Sequence, residues 1–225
     1  MGLLDRLFGK GVPEFTERIW STTAQKFEDF LAQVQRCHAL GVYPVTVAHF
    51  CATQERLLDA FEKQGIETQR ISSPSQFPTE LPHEWSTGAA IAVLASEAIP
   101  SWSEHPPRAH PETVRRTPVS VHLAEHYPLP NGDQEILALE RFWSRPIEFT
   151  CYTALDEPWL APFGIERVQQ LIAKLGMDGT TVLSHPVLHS VLHSAQQQIA
   201  QRVRHDQRCD SCEEWMQCNF PRPLP

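Results

Sequence analysis

The chain has 225 residues, 41% hydrophobic and 20% charged, a composition that fits one globular domain with an extension, or two small domains, and excludes a disordered protein. A formal net charge of −8 gives no general attraction for nucleic acid, so no partner of that kind is expected. No apolar run approaches the roughly 18 residues of a membrane-spanning helix, so no integral membrane segment is expected. Residues 1–14 form an N-terminal segment whose start, MGLLDRLFGKG, lacks the long apolar stretch and small-residue cleavage site of a signal peptide. The expected location is therefore cytoplasmic, with the six cysteines mostly reduced.

Residues 15–40 read as a helix with Ile19, Phe27, Phe30, Leu31 and Val34 on its apolar face, ended by Gly41. A short buried strand follows at 44–50. The next helix, which Thr53 can cap, carries Leu57, Leu58 and Phe61 and stops at Gly65; 66–71 returns as a strand, completing a βαβ unit. Beyond a Pro/Ser-rich connection, 88–95 is a continuous apolar strand, and Pro100, Pro106, Pro107 and Pro111 mark 99–118 as loop. A strand at 119–124, a helix at 133–143 and a strand at 147–154 close the series. Five strands alternating with helices predict an α/β domain over 15–154, its mainly parallel sheet covered on both faces. Two helices are expected in 155–204. The first carries Ile165, Val168, Leu171, Ile172 and Leu175 and is closed by Gly176; the second has Ser184 as its cap candidate and Leu188, Val191, Leu192, Ala195 and Ile199 on one side.

Four strings in this last region occur in a telling order: LDE at 155–157, FGIER at 163–167, LGM at 175–177 and HP at 185–186. Together they resemble the segment that follows the second ATPase domain of SecA, the motor of bacterial protein export. The likeness extends backwards. The stretch 24–41 resembles the family's helix with a lysine–aromatic pair, here Lys26 and Phe27, and KQGI at 63–66 matches a turn in its first strand–helix–strand. VHLAEHYPLPNGD at 121–133 is similar to the family's strand and acidic loop, with Glu125 and Asp133 on its acidic positions. The resemblance covers about residues 15–204. It implies a RecA-like (P-loop NTPase-like) fold with a C-terminal helical extension.

The family's catalytic motifs are missing. Paired RecA-like domains hydrolyse ATP with a phosphate loop from one side and arginines from the other. No G-x-x-x-x-G-K-[ST] sequence occurs, 92–98 lacks the family's GRGTD-type loop, and Leu137 and Leu139 stand where its arginines belong. Arg141 and Arg145 as shifted substitutes would miss the required geometry. These departures lead to the expectation that the chain is not an enzyme but a catalytically inactive, stand-alone SecA-like module. It would bind a protein partner: an export motor, its cargo or another RecA-like domain. The alternatives are a half-motor ATPase completed by a partner chain and a zinc-dependent interaction module.

The last segment, 205–225, supplies the zinc candidate. Cys209 and Cys212 form a C-x-x-C pair able to hold one edge of a metal tetrahedron, and Cys218 with His205 could complete it, against the plainer reading of three thiols in a mobile tail. His185, His189 and His193 recur every four residues, but with no carboxylate between them they read as a solvated or partner-facing stripe. His49 and Cys51 lack an orienting acid and read as structural. Trp85 and Trp102 read as cover for the sheet.

Overall fold

The computed structural model describes residues 14–78, 90–100, 118–143, 147–174, 181–183 and 185–220. Six strands form one sheet: β1 (Thr16–Trp20), β2 (Tyr43–Ala48), β3 (Thr68–Ile71), β4 (Ile91–Ala95), β5 (Val119–Leu123) and β6 (Ile147–Ala154), in the order β1-β6-β5-β2-β4-β3. Every pairing is parallel. The central strands are buried on both faces, as a doubly covered parallel sheet requires; β2 and β5 are buried at every residue. This is an α/β fold built on a parallel sheet covered on both faces.

The sheet has one strand more than the five expected. The predicted helix over 15–40 is strand β1 followed by helix α1 (Thr23–Ala39). Thr22 starts the helix by accepting from the Gln25 N–H at 3.3 Å, and the T-E-R-I-W stretch before it pairs in register with 150–154. Helix α2 (Cys51–Lys63) follows β2. Gly41 and Gly65 end α1 and α2 in the left-handed region, at φ 70° and 69°. α1 and α2 cover one face, where Phe30, Val34, Leu57 and Phe61 meet Ala48, Val93 and Tyr152. The predicted helix over 133–143 is two pieces, α3 (Pro130–Leu137) and α4 (Leu139–Phe142), placing Ile136 and Leu139 on the opposite face against Val47, Val121 and Phe149.

The remaining helices, α5 (Ile165–Lys174), α6 (Pro186–Arg202) and α7 (Cys212–Asn219), build a further apolar cluster beside β1. Gly176 and Ser184, the expected stop and cap, lie outside the described residues. The α6 cap seen is His185, which accepts from the Val187 N–H at 3.2 Å. Trp215 of α7 is fully buried in this cluster with Trp159 and Leu192. An indole of that kind hides on the order of 200 Å² of apolar surface, about 5 kcal/mol, which suffices to dock so short a helix. Among the described residues no helix is long and apolar enough to cross a membrane.

Candidate functional site

Ligands of parallel α/β sheets bind beyond the carboxyl ends of the strands, where the chain order reverses. Here β3 and β4 lie on one side of β2 and β5 on the other, so the reversal falls at β2. Past that end two buried polar networks adjoin. In the first, Lys26 on α1 donates to Glu157 at 2.6 Å and to the Ala124 carbonyl at 2.8 Å. Glu157 also accepts from the Ala154 N–H and the Trp159 indole. Its neighbour Asp156 accepts from the Thr23 N–H and hydroxyl, both at 2.7 Å. The acidic turn therefore caps α1 and neutralises its buried lysine. Burial works against the Lys26 charge, but Glu157 and Glu125 outweigh it and raise its pKa. Burial also raises that of Glu125, which accepts from the Phe50 N–H at 3.2 Å and the Thr53 hydroxyl at 2.7 Å.

The second network centres on Asp133 in the first turn of α3. Its carboxylate meets His126 Nδ1 at 2.7 Å and His49 Nε2 at 2.9 Å, and accepts from the Tyr127 N–H and the Gln196 amide, each at 2.9 Å. Burial opposes its charge, yet the two imidazoles, His126 foremost, hold its pKa well below the usual carboxylate range. For His126, burial is outweighed by Cys151, Glu17 and Asp133, and its pKa stands well above the usual value.

Beside these networks opens a crevice of about 390 Å³ with His49, Phe50 and Tyr127 on its walls. Its lining includes four carboxylates, those of Glu97, Glu135, Asp206 and Asp210, against two arginines, Arg70 and Arg208. Both arginines are engaged, Arg70 with Glu55 at 2.6 Å and Arg208 with Glu97. The crevice is thus acidic in balance and holds its cations in ion pairs. The segment before α7 forms one wall: the Ala52 N–H donates to the Asp210 carbonyl at 2.9 Å, and Asp206 accepts from the Tyr127 hydroxyl and the Trp215 indole.

The four residues expected to hold zinc are placed differently from one another. The Cys209 thiol donates to the Gln207 carbonyl at 3.5 Å, and burial together with the neighbouring Cys218 raises Cys209 to about 11. Cys212, at the start of α7, lies instead by Glu157, Glu125 and Lys26. His205 is exposed. Of the histidine stripe, His185 is a helix cap, while His189 and His193 are exposed on α6. His49 aims Nε2 at Asp133, and Cys51 is the exposed first residue of α2. Leu139 is fully buried and Leu137 packs on the same core, so the two positions where the resemblance led arginine to be expected point into the apolar interior. Arg145, Trp85, Trp102 and the Arg141 side chain lie outside the described residues.

The sequence had marked Lys26, Glu125 and Asp133 only through resemblance. Glu17, His126 and Cys151 belong to no sequence motif that singles them out. Glu17 was hidden by reading β1 as helix; the signal that could have found His126 is its place between Glu125 and Asp133.

No family model matches the chain, and no curated protein matches it in sequence. Among solved structures it is similar to the C-terminal part of the Fun30 ATPase domain, at 9% identity and a TM-score of 0.40, with 78% of this chain and 54% of that one covered. The chain thus spans about half of that structure's length. The similar structure is part of an ATPase domain, and the expectation that this chain is not an enzyme is corrected on that finding.

Proposed function

We propose that this chain is a SecA-motor-like domain that works by binding another protein, with a basic side chain of the partner seated in the carboxyl-end crevice. The observation that carries the reading is the charge of the crevice. Arg208 is already paired with Glu97 and Arg70 with Glu55, which leaves Glu135, Asp206 and Asp210 in the lining, so a cation finds attraction where a phosphate would find repulsion. Phe50 and Tyr127 offer apolar wall for the stem of a lysine or arginine. The colinear likeness to the export motor connects the reading to protein export, with the motor or its cargo as partner.

A photoreactive residue in place of the exposed Glu135 tests the idea in cells, with the same residue at exposed Glu28 on α1 as control. Cross-links to a protein at 135 and none at 28 are expected. Equal labelling at both, or none at 135, would sink the reading. ATP hydrolysis is measured on the cross-linked complex, and turnover dependent on Arg70 or Arg208 would instead favour a half-motor completed by its partner.

A further inference from the structure

Apart from the crevice, three metal-ligating side chains converge in the interior. Glu17, His126 and Cys151 each offer one ligand atom, and the three atoms lie within 4.8 Å of one another. The backbone sets this up. Glu17 on β1 and Cys151 on β6 are register partners, so their side chains project from the same face of adjacent strands. On its other side Cys151 pairs with Leu123 of β5, and His126 follows three residues later to close over the pair.

The imidazole is fixed at both ends. Nε2 lies 3.1 Å from Glu17 Oε2, while Nδ1 lies 2.7 Å from Asp133. Asp133 cannot swing away, because His49, the Tyr127 N–H and Gln196 of α6 hold it as well. A carboxylate that grips the far nitrogen of a histidine is the usual outer support of a metal-bound imidazole.

We propose that Glu17, His126 and Cys151 bind one divalent transition-metal ion, zinc by preference, with Asp133 orienting the histidine. The donor set selects the metal. A thiolate excludes calcium and magnesium, whereas sulfur, imidazole and carboxylate together suit zinc. Around a tetrahedral zinc ion, with bonds of about 2.0–2.3 Å, ligand atoms lie roughly 3.5 Å apart, so small side-chain rotations close the site. A thiolate and a carboxylate balance the ion's charge, which a buried site requires. Three protein ligands leave a fourth position for water or an exchangeable ligand, with Glu17 the least buried of the set, its side chain 16% exposed. The proposal stands independently of the partner-binding reading.

Cobalt(II) loading of the full chain tests it, in a background where Cys209, Cys212 and Cys218 are all serine so that the tail thiols are silent. Expected are about one cobalt per chain and a near-ultraviolet thiolate-to-cobalt band that disappears in Cys151→Ser. Glu17→Gln should weaken binding at least tenfold. No thiolate band in the background, or a band that survives Cys151→Ser, overturns the site. Should Cys151→Ser fail to fold by circular dichroism, Glu17→Gln decides: unchanged affinity overturns the proposal, and a tenfold loss upholds it.

Discussion

Acid should unfold this protein partly through one side chain, His122. It sits on β5 at 2% exposure, with Nδ1 2.9 Å from the Tyr152 hydroxyl and the Phe30 ring against its face. Nε2 has no hydrogen-bond partner among the described residues. Burial, aided by the charge of Arg18 and opposed by Asp29, lowers its pKa from 6.5 to about 4. The unfolded chain therefore binds this proton first, and the native state loses stability as pH falls from about 6.5 towards 4. At pH 5 the unfolded ring is almost wholly protonated and the folded ring only about a tenth, a loss of about 2 kcal/mol that grows to about 3 kcal/mol below pH 4. His126 titrates in the opposite sense, because its raised pKa contributes stability that is present at low pH and lost as pH rises. Comparing wild type with His122→Phe removes that shared contribution. Urea unfolding from pH 8 to pH 5, followed by tryptophan fluorescence, should show the variant gaining about 2 kcal/mol on the wild type across the range. Parallel curves would show that His122 does not titrate differently in the folded and unfolded chain, whatever offset the orphaned Tyr152 hydroxyl introduces.

Glu157→Gln should destabilise the fold by about 3 kcal/mol in the same assay, since it removes the buried Lys26 ammonium's hydrogen-bonded counter-charge and leaves only Glu125 near it. Gly132→Ala places a Cβ 2.6 Å from the Tyr127 ring. The ring must shift, at about 1–3 kcal/mol, and the fluorescence of Trp215, whose indole lies 3.0 Å from the Tyr127 hydroxyl, should change with it. Thr22→Ala removes the cap of α1 and should cost about 1 kcal/mol by thermal or urea unfolding.

The strands legible in the sequence were those whose pattern is local. β2 and β4 are largely apolar runs bounded by turn residues, and burial on both faces writes that pattern directly. β1 was illegible because T-E-R-I-W has a single fully buried residue, Ile19, and leads into α1 through only two residues, so a helical period could be laid across both. The site was harder to read, for its contacts are made between distant positions: His126 reaches Glu17 across 109 residues and His49 reaches Asp133 across 84. Nothing in the spacing of these residues announces that a sheet edge and a loop will bring them together. Trp215 likewise looked like part of a loose tail, although Asp206, Tyr127 and a prepared apolar cluster secure it. Resemblance supplied what pattern could not, by marking Lys26, Glu125, Asp133 and the acidic turn at 156–157.

The proposed partner binding depends above all on the preference of the crevice for a cation. Binding of a fluorescent lysine/arginine-rich peptide, followed by anisotropy over a range of salt concentrations, tests it on wild type and on Glu135→Lys. The peptide should bind saturably to the wild type, weaken as salt screens the carboxylates, and lose at least tenfold in affinity in the variant. An absence of saturable binding, or an affinity indifferent to both salt and Glu135→Lys, would mean that the crevice is not a cation site.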